Sequence, residues 1–133
     1  MIFVDSSFWI ALRLRRESSH EQAERLLAHH GHHALVTSNQ VRGETWTFLR
    51  RRVGHGAAVD FLDRLEHTPR VRVELVDEKL EREALRWLRR HDERPYSFVD
   101  ATSFALMKRL RVREAFAFDG DFAAAGFVEL RAD

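Results

Sequence analysis

Apolar positions along the chain alternate between the two periods of regular structure. "MIFV" (1–4) is a short continuous apolar run of the kind a buried strand shows, and "SFWIALRLRR" (7–16) and "HEQAERLLAHH" (20–30) follow it at helical spacing, separated by "ESS". "ALVTS" (34–38) predicts a second strand. In "NQVRGETWTFLRRR" (39–52) Val41, Thr45, Phe48 and Leu49 fall at helical spacing, and "GAAVDFLDRLEH" (56–67) repeats the pattern after a Gly-His-Gly break. "VRVELV" (71–76) alternates as a strand. "EKLEREALRWLRRHD" (78–92) then predicts a long amphipathic helix with Leu80, Ala84, Trp87 and Leu88 inward. Beyond Pro95 come a helix "FVDATSFALMKRL" (98–110), a strand "EAFAF" (114–118), a short helical turn "DFAAA" (121–125) and a last strand "FVELR" (127–131).

Strands that alternate with helices imply parallel pairing, with helices on both faces of the sheet. The expected fold is an α/β/α sandwich around a mainly parallel sheet. Neither proline, Pro69 or Pro95, interrupts a periodic segment, and no linker, repeat or low-complexity stretch divides the chain. At 133 residues a single domain spanning 1–133 is expected, long enough to bury a core without staples.

Composition narrows the chemistry. The chain has no cysteine, which excludes disulfides and thiolate metal ligation. Its apolar start is broken by Asp5 with no basic region ahead of it, unlike a secretory signal, and no apolar run approaches the roughly 18 residues of a membrane span. A soluble cytoplasmic protein is the expectation. A net charge of +1 from 22 basic and 21 acidic residues gives no bulk signal for nucleic acid. Twenty of the basic residues are Arg and two, Lys79 and Lys108, are Lys. Arg is the better bidentate phosphate ligand, although biased codon usage produces the same skew.

Several acids sit in apolar frames. Asp5 follows the strand Ile2–Val4 and precedes a helix, and Asp119 follows "FAF" in the same way. The carboxyl ends of strands are where open α/β sheets bind ligands. Asp100 is the one charge in a stretch, Phe98 to Met107, in which seven residues are apolar. Ser97 as N-cap with Asp100 three residues on explains an acid in a first helical turn, but less well one surrounded by Phe98, Val99, Phe104 and Leu106. Glu44 shares the edge of an apolar stripe with Val41 and Phe48, beside Gly43, which costs about 0.8–1.0 kcal/mol relative to Ala in a helix and suggests close backbone approach. A turn alone would account for Asp119 and Asp121 in "FDGDF". Carboxylates gathered in one place, however, require a hard cation to offset their repulsion, and oxygen-only ligation selects Mg²⁺ or Mn²⁺.

The ordered set "IFVDSS", "NQVRGETWTFLRR", "SFVDATSFALM" and "FAFDGDF" resembles the PIN domain over essentially the whole chain, and its length resembles that of VapC-type ribonuclease toxins. The resemblance implies a PIN-like α/β/α sandwich and a Mg²⁺-dependent endoribonuclease. It also implies a homodimer, held inactive by a cognate antitoxin whose C-terminal tail lies across the site. Matched residue by residue, Asp5, Glu44, Asp100 and Asp119 are the acidic quartet, catalytic and metal-binding, with Asp5 and Asp100 as inner ligands. Ser6 or Ser7 matches the hydroxyl after the first acid, and Ser97 the one before the third. Asp121 stands as an outer ligand or a helix-starting residue. Where the family often has Thr, this chain has Ala117. The implied reaction is attack of a cation-activated water on a phosphodiester, with no histidine as base.

Other features are weaker signals. "HHGHH" (29–33) straddles a predicted helix end and is expected to be an exposed loop instead of a metal site. The runs Arg50–Arg52 and Leu88–Arg94 offer RNA phosphate contacts or solvated helix faces, with Arg86, Arg89 and Arg90 the expected weak RNA contacts. Two signalling or phosphatase folds that also place Asp at strand ends lack a required residue here. Both lysines fall in predicted helices, and Ser7 stands where a second Asp is needed. A non-catalytic PIN-fold RNA or protein-binding module is the alternative, disfavoured because all the acids are present.

Overall fold

The computed structural model describes residues 1–132. Its elements are β1 (Ile2–Val4), α1 (Ser6–Arg13), α2 (His20–His29), β2 (Leu35–Ser38), α3 (Asn39–Arg52), α4 (His55–Glu66), β3 (Val71–Glu74), α5 (Glu78–Arg90), α6 (Phe98–Leu110), β4 (Glu114–Phe116), α7 (Asp121–Ala124) and β5 (Val128–Glu129). All strand pairs are parallel, in the order β3-β2-β1-β4-β5. The α/β/α sandwich with a parallel sheet expected from the alternating pattern is thus the observed fold. Among the described residues no helix is long and apolar enough to cross a membrane.

The strand order reverses direction at β1, which lies between β2 and β4. That is the switch point at which adjacent crossovers leave in opposite directions and open a crevice at the strands' carboxyl ends. β1 and β2 are buried at every position, as central strands covered on both faces are, including the polar Thr37 and Ser38 of β2. Phe3, Phe8, Phe104, Phe116 and Phe122 form the aromatic centre of the core, with Phe8 stacked on Phe116 at 4.6 Å and Phe104 edge-on to Phe122 at 5.0 Å. Packing α6 against this cluster buries a continuous run from Asp100 to Met107.

Several boundaries differ from the sequence pattern; the third strand, for one, ends at Glu74 and not at Val76. The first helix stops at Arg13 instead of running to Arg16, because the chain turns there through Glu17 N–H to Leu14 O and His20 N–H to Glu17 O, each at 3.0 Å. The fourth strand ends at Phe116 and not at Phe118. The Phe118 amide donates to Ser7 Oγ (3.1 Å) and the Ala117 carbonyl accepts from Arg131, so neither remains for a ladder. The last strand keeps two residues, Val128 and Glu129. The three tryptophans are used inside the fold: Trp9 is buried against Phe61, Trp46 meets His55, and Trp87 packs between His91, Tyr96 and Phe104.

Candidate active site

Asp5 is delivered by β1 to the crevice and serves as N-cap of α1. Its Oδ2 accepts from the Ser7 amide (3.2 Å) and the Ser7 hydroxyl (2.7 Å). The other oxygen, Oδ1, is buried without any hydrogen-bond partner. The neighbouring strand is locked alongside, because the Asp5 amide donates to Phe116 O (3.1 Å) at the end of β4. Ser7 therefore fixes both the Asp5 carboxylate and the segment that leads to Asp119.

Asp100 enters from α6. Ser97 caps the helix, its Oγ accepting from the Asp100 amide (2.9 Å) while Asp100 Oδ2 accepts from the Ser97 amide (3.0 Å). This is the capping box expected from the sequence, and it sets one carboxylate oxygen at a defined place. The residue is 7% exposed, so the cap is built into the floor of the crevice.

Asp119 and Asp121 sit on the short loop between β4 and α7. Gly120 between them has φ +83°, a left-handed conformation that favours glycine, and an added Cβ would meet Arg94 at 3.4 Å. Asp119 lies three residues beyond the end of β4, at the exposed rim, and its Oδ1 accepts from the Asp121 amide (3.2 Å). Asp121 begins α7, as expected, but its carboxylate also turns into the site. One oxygen each from Asp100, Asp119 and Asp121 lie within 4.8 Å of one another. Two residues that the sequence pattern did not mark hold this loop. Arg94 donates from Nε to Asp121 Oδ1 (2.9 Å) and from its terminal nitrogen to the Asp119 carbonyl (3.3 Å). Glu129 accepts from the amides of Gly120, Phe122 and Ala123 at 3.1–3.3 Å, closing the exposed start of α7 with a side chain only 5% exposed.

Glu44 stands apart from that trio. It accepts a hydrogen bond from Ser6 Oγ, so the two consecutive serines divide their work: Ser6 holds Glu44 and Ser7 holds Asp5. Gly43 does not serve a close backbone approach within the chain, contrary to the sequence expectation. An added Cβ would meet nothing within 4 Å, because the residue faces an open cleft of about 750 Å³ that Glu44 also lines. Arg86, Arg89 and Arg90 project from α5 and line neither this cleft nor the one beside Asp119.

Crowding perturbs the acids in one direction. Burial, followed by the Asp119 charge, pushes the Asp5 carboxyl up to about 7. Burial also raises Asp100 to about 6 and raises Asp119 above its ordinary value; the charges of Asp119 and Asp121 add to the shift at Asp100, while at Asp119 the Asp121 amide opposes the rise. Like charges gathered this closely repel one another and disfavour the fully ionised cluster. A divalent cation removes that repulsion. The residues fit one: the donors are all oxygen, three of them lie within 4.8 Å of one another, and Asp5 Oδ1 lacks any other partner. The sequence expected Asp5, Glu44, Asp100 and Asp119 as the central set. The structure gathers Asp100, Asp119 and Asp121, couples Asp5 to them electrostatically, and places Glu44 at the cleft edge.

Residues 2–128 match the PIN domain, and the chain belongs to that family. Its class is that of the PIN-domain endonucleases. Among its relatives is the 23S rRNA-specific endonuclease VapC20 of Mycobacterium tuberculosis, in strains CDC 1551 / Oshkosh and ATCC 25618 / H37Rv, each 55% identical over 131 residues and 98% of both chains. The crystal structure of M. tuberculosis VapC20, described as a sarcin-ricin loop cleaving toxin, superposes with a TM-score of 0.94 at 53% identity, over 99% of this chain and 100% of that one.

Proposed function

We propose that this protein is a toxin endoribonuclease that cleaves 23S rRNA and is neutralised by a cognate antitoxin. The single observation that carries the catalytic part is the buried Asp5 oxygen with no partner, on a carboxylate that feels the charges of Asp119 and Asp100 in the gathered acid cluster. The names of its 55%-identical relatives support the substrate. A non-catalytic binding module has no use for such an oxygen.

A divalent cation, Mg²⁺ or Mn²⁺, would be held by Asp5 and Asp100 with Asp119 beside them. It supplies the charge that phosphodiester hydrolysis requires and makes a water more acidic. Asp5 presents Oδ1 because Ser7 occupies Oδ2. Asp100 is oriented by Ser97, and Glu44, anchored by Ser6, accepts protons or orients water at the cleft edge. Asp121 contributes less, since Arg94 already neutralises it. Arg86, Arg89 and Arg90 add weak, salt-dependent attraction for RNA. The active form is a homodimer in the cytoplasm, and the exposed Val53, Leu75, Leu85 and Phe98 supply apolar surface for a second copy or for the antitoxin.

The test is expression of the wild-type chain and of Asp5→Asn in a bacterial host, with 5′ ends mapped across all RNA classes. The wild type should arrest growth and create one new end in 23S rRNA, and Asp5→Asn should do neither. New ends confined to tRNA or mRNA would overturn the substrate, and arrest by Asp5→Asn would overturn the site.

A further inference from the structure

We propose that Phe48, backed by Arg52, is a stacking surface for an unpaired RNA base next to the cleaved bond, with Arg51 and Arg52 holding the adjoining phosphates. This rests on the nuclease function proposed above and adds how the substrate is gripped. Glu44, Phe48 and Arg52 follow one another at intervals of four along α3 and so lie in one row on its surface. Two open clefts meet at that row. One, of about 750 Å³, is lined by Gln40, Gly43, Glu44 and Val99, and the other, of about 350 Å³, by Ser7 and Asp119. Phe48 and Arg52 line both. The pair is therefore a ridge between two spaces that each open onto an acid of the site.

The chemistry of the ridge selects a nucleic acid base over an apolar protein segment. Phe48 is half-buried, and the Arg52 guanidinium lies over its ring at 5.1 Å, so the two already form an aromatic-cation stack onto which another π face can be added. Neither Arg51 nor Arg52 has an acidic partner among the described residues, and both line the larger cleft. An apolar segment laid there would desolvate two guanidiniums without pairing them, whereas phosphates on either side of a stacked base pair both. Gly43 keeps the cleft floor bare, with no atom within 4 Å of where a Cβ would stand. Unpaired bases stacked on aromatic rings and guanidinium planes are the usual means by which proteins read RNA.

The test is fluorescence anisotropy of a short single-stranded oligoribonucleotide with the full-length protein in EDTA, so that binding is read without cleavage. Phe48→Leu should weaken binding by about tenfold, the size of one base stack, and Phe48→Tyr should stay within about twofold of wild type. Arg51→Gln and Arg52→Gln should each lower affinity and reduce the salt slope by about one. Arg52→Gln leaves the Phe48 packing in place, so it decides the phosphate contacts even if Phe48→Leu folds poorly. Mn²⁺ affinity by calorimetry should be the same in all these variants as in the wild type. Unchanged RNA affinity in Phe48→Leu, or an equal loss in Phe48→Tyr and Phe48→Leu, would overturn the stacking role. If the wild type binds no Mn²⁺ and cleaves no RNA, the nuclease function itself fails. If it does both and the Phe48 variants bind RNA normally, the stacking surface alone is refuted.

Discussion

Ser7 donates its amide and its hydroxyl to the same oxygen of Asp5, Oδ2, at 3.2 and 2.7 Å, and leaves Oδ1 buried with no partner. Helix capping accounts for Oδ2 alone and leaves the burial of an unpartnered Oδ1 unexplained. Asp5 is therefore strained towards its protonated form when no cation is bound, with its carboxyl raised from 3.8 to about 7. Between those values the folded metal-free protein binds more protons than the unfolded chain, so its stability falls as pH rises through that window and levels off above it. Asp100, raised to about 6, acts in the same direction. Melting temperatures in EDTA should decline over this range, and Asp5→Asn should melt above the wild type beyond about pH 7 while matching it near the ordinary 3.8. A wild-type melting temperature that climbs with pH across the window would contradict the assignment.

Asp119 and Asp121 share one loop but not one role. Arg94 pairs with Asp121 at 2.9 Å, whereas among the described residues no ion pair reaches the Asp119 carboxylate, which acts electrostatically on Asp5. Asp119→Asn should therefore reduce cation-dependent RNA cleavage by orders of magnitude with little loss of stability, and Asp121→Asn should keep much of the activity. Initial rates at saturating Mg²⁺ decide the ranking, and the reverse order would exchange the two residues.

Glu129 collects three amides at the start of α7 and so fixes the loop that carries both acids. Replacing it with Ala leaves the buried Phe122 amide without its acceptor, at a typical cost of about 1–3 kcal/mol. Glu129→Ala should lower the unfolding free energy in urea by that order and weaken Mn²⁺ binding, while Glu129→Gln, which keeps an acceptor oxygen, should lose less of both. Equal Mn²⁺ affinity in wild type and Glu129→Ala would show that the loop keeps its shape without this clamp.

Gly43 lies within α3 with open space on its Cβ side. Gly43→Ala should thus stabilise the protein by about 0.8–1.0 kcal/mol in chemical denaturation. A destabilised Gly43→Ala would mean that the backbone there departs from ordinary helix.

The fold was legible because its two periods are clean: buried strands such as "IFV" are continuously apolar, and long helices keep their stripes. Asp5 and Asp100 were legible for the same reason, as charges in apolar frames, and the Ser97 cap as a spacing. Arg94 and Glu129 were not. Arg94 ends a run of charges that otherwise faces solvent, and only the fold turns it onto the Asp119–Asp121 loop. Glu129 sits in a strand of two residues, and apart from Arg131 its partners are backbone amides, which carry no residue signature. That Asp121 joins Asp100 and Asp119 was legible only as an alternative, since helix start and site acid look alike in sequence.

The measurement that bears most directly on cation-dependent RNA cleavage by these acids is primer extension across 23S rRNA after incubating ribosomes with the purified protein. Wild type and Asp100→Asn are compared in Mg²⁺ and, for deproteinised rRNA, in EDTA. A single strong stop with the wild type in Mg²⁺, absent in EDTA and in Asp100→Asn, is the expected result. An equally strong stop in EDTA, or one made by Asp100→Asn, would contradict it.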